Sequence, residues 1–344
     1  MPRFVVEAQR AAVRNGLAEP VIEVIPTASG NPAGSLAHNR GLLASIATVG
    51  MVQGIELGVD NADLATTPEV AARLAQASGV WFTGGNQSRI VSVFRPTESD
   101  VPTLHSVLSQ SLAAGGVIGG SSAGAAIMSE TMLAGGTSEG ALLHGEGEGG
   151  LKLASGLGFF PHGIVDQHFL ARGRLGRLLV ALELTGERYG FGIEENSALV
   201  VYLGDHAVGL GSRGVCILDR GRFSENADSG TRNFELTLLG TGDRWDFETG
   251  KASPRAGRID SVVNKPSSVV STSDPSSTEL WESGAIDEAL LLLSRDPSRP
   301  QVLLSEGFRR ELDCGRNTML RVAPDNARDL FAAQVVCRLT ERRE

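Results

Sequence analysis

The chain has 344 residues, enough for one large domain or two ordinary ones, and its 41% hydrophobic content can fill a substantial core, so a globular protein is the default. With 31 Lys+Arg against 40 Asp+Glu the formal net charge is −9, and only 5% of residues are aromatic; both figures argue against a general nucleic-acid surface or a base-stacking platform. The 43 glycines follow no collagen-like period and imply many tight turns and close backbone approaches.

Apolar residues recur at helical spacing over residues 4–13, and Val21-Ile22-Glu23-Val24-Ile25 is a short β-branched run stopped by Pro26, which predicts helix then strand. A Gly/Ser/Asn/Pro loop runs through Ser35, and helices are predicted over 36–49 and 68–77, the second opened by Thr67. Val80-Trp81-Phe82-Thr83 reads as a buried strand that ends in Gly84-Gly85-Asn86-Gln87. A helix over 103–113 leads to the apolar strand Gly116-Val117-Ile118-Gly119, which stops at Gly120-Ser121-Ser122-Ala123-Gly124 and is followed by a helix-permitting segment. This alternation, with strands too apolar to have a wet face, predicts an α/β domain with a mostly parallel sheet covered on both sides. Ligands in such sheets gather at the carboxyl ends of the strands.

Further along, Glu194-Glu195-Asn196-Ser197 is a polar insert between Phe191-Gly192-Ile193 and Ala198-Leu199-Val200-Val201, and strands are predicted near 214–218 and 234–239. Residues 266–278 hold six Ser and two Pro and read as a linker. Beyond it a helix is predicted over 285–293, a strand over 301–304 and a helix over 326–339. Cys216, Cys314 and Cys337 are odd in number and widely spaced, so neither a disulfide framework nor a zinc cluster is expected. The start, MPRFVVEAQR, lacks the apolar region of a secretory signal, and no stretch approaches the roughly 20 apolar residues of a membrane span, which leads us to expect a soluble, cytoplasmic protein.

Chemistry concentrates at Gly120-Ser121-Ser122-Ala123-Gly124, a G-x-S-x-G with a strand before it and a helix after it. Small flanking residues let the backbone bend so that the Ser122 hydroxyl projects from the turn and the Ala123 amide faces a developing oxyanion. A Gly-rich structural turn with a capping serine would show the same pattern, and Ser121 is a competing nucleophile less suited by its position. A serine needs a base, because its hydroxyl is weakly nucleophilic at neutral pH. Of six histidines, His168 stands out in Val165-Asp166-Gln167-His168-Phe169, just after a predicted strand and ahead of Arg172, Arg174 and Arg177. Glu194 and Glu195, beside an apolar strand, are the carboxylates available to orient it, since acids there are costly without a partner. Composition alone reads the three arginines as a solvated helix face. The order Ser122, His168, Glu195 differs from the Ser–acid–His order of α/β-hydrolases.

Gly84-Gly85-Asn86-Gln87, the Gly119–Ala125 elbow, the segment from Asp166 to Leu178 and Gly192-Ile193-Glu194-Glu195-Asn196-Ser197-Ala198 together resemble the cyanophycinases, serine exopeptidases related to aspartyl dipeptidases. The resemblance covers about residues 4–250. It implies an α/β fold, a three-layer α/β/α sandwich with a mostly parallel sheet of the class I glutamine amidotransferase type. It further implies Ser122 as nucleophile, His168 as general base and then acid, and Glu195 as the orienting carboxylate, with Glu194 in reserve because the family more often shows Asp then Glu here. Amides of Ala123 and of the Gly84-Gly85 turn would hold the oxyanion, and Gln87, Asp166, Gln167, Arg172, Arg174 and Arg177 match positions lining the family's substrate pocket. Cyanophycin, a polyaspartate with arginine on each β-carboxyl, calls for cations to meet carboxylates and an acid or amide to meet guanidinium, and arginine suits the first role.

The expected activity is therefore release of β-Asp-Arg from cyanophycin through an acyl-enzyme; the alternatives are an aspartyl or isoaspartyl dipeptidase, or a catalytically silent binding or assembly protein. An amidotransferase role would need a cysteine at the elbow. No metal or organic cofactor and no nucleic-acid or membrane partner is expected, and a homodimer is an admissible assembly. The expected organisation is a catalytic domain over 1–254, a linker over 255–278 and a C-terminal extension over 279–344. The family usually opens with a strand ending in a Gly-rich turn ahead of the first helix, whereas this chain begins almost at that helix; either the start lies upstream or another strand fills the gap, with residues 301–304 a candidate for it.

Overall fold

The computed structural model describes residues 1–47, 51–96, 102–221, 231–257, 259–260, 301–305, 308–323 and 326–341; for 231, 259–260 and 301–341 it describes the backbone alone, Cys337 excepted. The chain divides into two compact units, one of Met1–Ala134 with Leu153–Pro161 and one of Gly135–Lys152 with His162–Glu344.

The first unit opens with helix α1 (Pro2–Arg14), strand β1 (Ile22–Ile25), helix α2 (Pro32–Ala44) and strand β2 (Val52–Gly54). Helix α3 (Pro68–Gln76), strand β3 (Gly79–Phe82), helices α4 (Gln87–Phe94) and α5 (Leu104–Ala113), strand β4 (Val117–Gly120) and the single turn α6 (Ala123–Ala126) follow. The strands form a parallel sheet in the order β2-β1-β3-β4, with Ile22 opposite both Val52 and Gly79 and Gly79 opposite Val117. Apolar residues cover both faces, because successive strand side chains point to opposite sides. Ile22, Val24 and Trp81 pack with Phe4, Val5 and Ala8 of α1 and Leu43 of α2. Ile25, Val80 and Phe82 pack with Val70 and Leu74 of α3, Ile90 and Phe94 of α4, and Leu104 and Leu108 of α5. The helix starts follow capping chemistry: Asn31, Thr67, Asn86 and Thr103 each accept a backbone N–H of the first turn. A proline at the start of α2, supported by Asn31, brings that helix in four residues earlier than its apolar pattern predicts.

Strand β5 (Thr131–Gly135), helix α7 (Ser138–His144) and strand β6 (Lys152–Ser155) come next, β5 and β6 forming a two-stranded ribbon. The second unit continues with strand β7 (Ile164–Gln167), helix α8 (Leu175–Thr185) and strands β8 (Tyr189–Ile193), β9 (Ser197–Tyr202), β10 (His206–Gly211), β11 (Val215–Asp219) and β12 (Thr231–Leu239). It ends with β13 (Arg244–Asp246), β14 (Lys251–Ser253), β15 (Ile259–Asp260), β16 (Gln301–Ser305), β17 (Phe308–Ala323) and β18 (Asn326–Glu341). One sheet runs β15-β17-β18-β12-β11-β8-β7, with β7 and β8 parallel and β16 added against β17. A second, antiparallel sheet runs β14-β13-β10-β9. Cys216 on β11 and Cys337 on β18 are buried.

Three sequence expectations change. The helix predicted over 326–339 is strand β18, because the segment is hydrogen-bonded on both sides, to β12 and to β17, and such pairing overrides a local apolar pattern that also fits a helix. Residues 301–305 are a strand, as predicted, but pair antiparallel with β17, so they do not replace a strand of the parallel sheet. The helix after the elbow is a single turn, because the Ile127 and Met128 carbonyls accept the amides of Leu157 and Phe160 instead of continuing the helical ladder. The linker over 266–278 and the helix over 285–293 lie outside the described residues. No helix among the described residues is long and apolar enough to cross a membrane.

Candidate active site

In the first unit, β4 delivers Gly120 into the turn that carries Ser122. Ser122 is left-handed, at φ 52° and ψ −110°, a conformation that an L-residue holds only when its surroundings leave no other. Those surroundings are backbone packed on backbone. A Cβ on Gly120 would collide with the Gly124 carbonyl, and one on Gly124 with the Phe82 carbonyl. Ser121 N–H donates to Phe82 O at 3.1 Å and Gly124 N–H to Ser121 O at 2.9 Å. Ser122 makes no capping bond to α6, so the reading of a simple capping serine does not describe it. The neighbouring Gly84-Gly85 turn is equally tight: Gly85 has φ 144°, and a Cβ there would strike the Ala28 carbonyl. A Cβ on Gly84 would lie 3.4 Å from Cβ of Ser122, which puts this turn directly beside the serine. Gln87, at the start of α4, donates its amide to the Leu133 carbonyl at 2.7 Å.

In the second unit, β7 ends at Gln167 and His168 follows with φ 48°, again left-handed. Its Nδ1 lies 2.8 Å from Oε1 of Glu195. The adjacent Glu194 does not share this task. It is buried, and its carboxylate accepts the Leu170 and Ala171 amides through one oxygen and the Glu195 amide, at 2.7 Å, through the other. The turn bearing Glu195 is braced by Ser197, whose Oγ accepts the amides of Arg213 at 3.2 Å and Gly214 at 2.8 Å.

The three arginines, equivalent in the sequence, occupy three different environments. Arg177 is buried on the first turn of α8 and grips Asp166 with two nitrogens, Nε lying 2.7 Å from Oδ2, while its Nη1 donates to the Gly136 carbonyl. Asp166 is itself buried and takes the Gln167 amide as well. Both partners are therefore committed to each other in the folded chain. Arg174 is mostly buried, donates to the Gln167 carbonyl at 2.6 Å and lies 3.5 Å from Asp166. Burial pushes its pKa down to about 10, with Asp166 opposing the shift and the charges of Arg177 and Arg172 adding to it. Arg172 is exposed and has no carboxylate partner among the described residues. Gln167 is buried at the end of β7.

Sequence reasoning missed two contributors. Ser138, at the start of α7, donates to the Gly173 carbonyl and accepts the Arg177 amide at 3.1 Å, tying α7 to the entrance of α8. Glu194 was placed near the site but without its three amide partners. Neither role leaves a local sequence signal, since the Gly173, Arg177, Leu170 and Ala171 partners lie more than twenty residues away. Among the described residues no group of three or more His, Cys, Asp or Glu is arranged to hold a metal ion.

Comparison with known proteins completes the picture. The model of the family described as "Peptidase family S51" matches residues 8–208. A protein of Trichormus variabilis named cyanophycinase is 31% identical over 261 residues, covering 72% of this chain and 82% of the relative. A cyanophycinase of Synechococcus elongatus is 32% identical over 246 residues, covering 69% and 72%. The crystal structure of a peptidase from an acI-B1 Actinobacterium aligns with 63% of this chain and 84% of its own, at 19% identity and a TM-score of 0.47.

Proposed function

The chain belongs to peptidase family S51, and from that premise we propose that it is a serine exopeptidase that hydrolyses cyanophycin to β-Asp-Arg dipeptides through an acyl-enzyme. The observation that carries the reading is the 2.8 Å bond between His168 Nδ1 and Glu195 Oε1. A carboxylate on Nδ1 fixes that nitrogen as the N–H of the neutral ring and assigns Nε2 the role of base. In the proposed reaction Nε2 takes the Ser122 hydroxyl proton as Oγ attacks the scissile carbonyl. The amides of Ala123 and Gly85 stabilise the oxyanion of the tetrahedral intermediate, and collapse breaks the C–N bond as His168 returns the proton to the departing amine. Water, activated by the same imidazole, then attacks the ester and frees Ser122. The left-handed Ser122 supports its role, because a nucleophile elbow places its hydroxyl by such a turn.

The arginines divide the work of recognition. Arg172 and Arg174 are proposed to meet substrate carboxylates, with Gln87 and Gln167 offering amides to the guanidinium. Asp166 and Arg177 hold the floor of that arrangement in place. A three-layer α/β/α sandwich of the class I glutamine amidotransferase type is part of the same proposal. It is supported by the parallel β2-β1-β3-β4 sheet, apolar on both faces, with the elbow at the carboxyl end of β4.

One observation favours a second reading, a dipeptidase for aspartyl or isoaspartyl peptides: with Arg177 committed to Asp166, fewer cations remain for a polymer. Incubating the chain and its Ser122→Ala variant with insoluble cyanophycin, and with short aspartyl peptides, separates the two. Release of β-Asp-Arg from the polymer by the parent alone is the expected result. Turnover of the short peptides only would move the assignment to a dipeptidase, and activity retained by Ser122→Ala would overturn the serine mechanism.

A further inference from the structure

Glu194 is buried at the carboxyl end of β8 and stands one residue before Glu195. One of its oxygens accepts the amides of Leu170 and Ala171, which follow His168 by two and three residues, and the other accepts the amide of Glu195 itself. The backbone adds to the same junction: Phe169 N–H donates to Ile193 O at 3.2 Å, and Arg174 N–H closes the turn onto Phe169 O at 2.8 Å. Both ends of the 2.8 Å His168–Glu195 hydrogen bond are thus anchored within three residues of a single carboxylate. His168 is also left-handed and needs its turn held from outside.

We propose that Glu194 is a positioning residue that clamps the His168 turn to the Glu195 turn and thereby sets the geometry between base and orienting acid. The inference rests on the roles proposed above for His168 and Glu195. The chemistry of the clamp is specific. All three partners are N–H donors, and an ionised carboxylate is the side chain that offers only acceptors on both terminal atoms. Glutamine, of the same length, would turn an NH2 group toward an N–H, leaving one turn unheld. Aspartate keeps both oxygens but withdraws them by one methylene.

Three measurements on the full chain test this: kcat and KM on the substrate that is turned over, the NMR signal of the His168 ring N–H, and thermal melting. Glu194→Gln is expected to lower kcat by about 100-fold with KM changed less than about twofold, the size of effect seen when general acid–base geometry is lost. Its imidazole N–H signal should vanish or move upfield. Glu194→Asp should fall between, with kcat several-fold down and the signal shifted. In a Glu195→Ala background, Glu194→Gln should cost less than about threefold more, because a residue acting through Glu195 has nothing left to position.

Equal losses from Glu194→Gln in both backgrounds, or an unchanged ring N–H signal in a folded Glu194→Gln protein, would overturn the clamp. If Glu194→Gln does not fold, Glu194→Asp decides, and an unaltered signal with unaltered kcat would overturn it equally. If the parent turns over neither cyanophycin nor aspartyl peptides, the proposed function fails. The ring N–H signals of parent, Gln and Asp proteins then still decide the positioning role by themselves.

Discussion

Ser122 and His168 sit at nearly the same left-handed φ, 52° and 48°, yet they are kept there by different physics. Around the serine, glycines let strand, turn and helix press backbone against backbone, close enough that added Cβ atoms on Gly120 and Gly124 would collide with neighbouring carbonyls. Around the histidine, the turn is held by hydrogen bonds that converge on Glu194 and by the buried Asp166–Arg177 pair behind it. A steric lock is indifferent to charge and intolerant of volume. An electrostatic lock is the reverse, and each should fail in its own way.

The largest expected effect falls on chemistry and not on either lock. Ser122→Ala, which removes the proposed nucleophile, should lower kcat by roughly 10⁴-fold or more, while the melting temperature stays close to that of the parent. Measured together, rate and melting separate the nucleophile from its scaffold. The electrostatic side is tested most sharply at Arg177. Replacing it by Ala leaves Asp166 buried without its partner and should destabilise the chain by about 3–5 kcal/mol in urea unfolding, whereas Asp166→Asn combined with Arg177→Leu should recover part of that loss. If the double variant is as unstable as the single, the pair is not what holds this region.

Volume is the corresponding probe of the elbow. Gly124→Ala drives a methyl group into the Phe82 carbonyl and should lower stability by about 1–3 kcal/mol, with activity falling further than stability because the turn must open to accommodate it. A fully active, fully stable Gly124→Ala protein would show that the elbow is not sterically locked. The smallest effect is expected where strain is released: Ser122→Gly removes the left-handed penalty against a loss of chain entropy and should stabilise the inactive protein by about 0.5 kcal/mol.

Much of the first unit could be read from its residues. Thr67 and Thr103 announce their helices, the β-branched run before Pro26 and the apolar run before Gly84 announce buried strands, and the elbow is written as G-x-S-x-G. These signals are local, and local chemistry decides them. The second unit depends on partners distant in sequence. Residues 326–341 carry an apolar pattern compatible with a helix, and only pairing with β12 and β17 makes them a strand. Arg172, Arg174 and Arg177 look alike until α8 starts at Leu175 and buries the last of them. Glu194 and Glu195 are neighbours of identical chemistry, and the choice between them is made by which carboxylate reaches the imidazole and which reaches the amides. The sequence offers two carboxylates; in the structure Glu195 meets the imidazole and Glu194 meets the amides.

The brace on the Glu195 turn also sets an order in time. The backbone hydrogen bonds and close approaches described around the Ser122 turn involve residues up to Ile127, whereas the Glu194 and Ser197 turn is held by Arg213 and Gly214. On a ribosome these arrive on the order of ten seconds after the elbow. During that interval the nascent chain carries a serine turn without an organised imidazole, so a peptidase working by the proposed mechanism stays inert toward itself and its neighbours until His168 is in place.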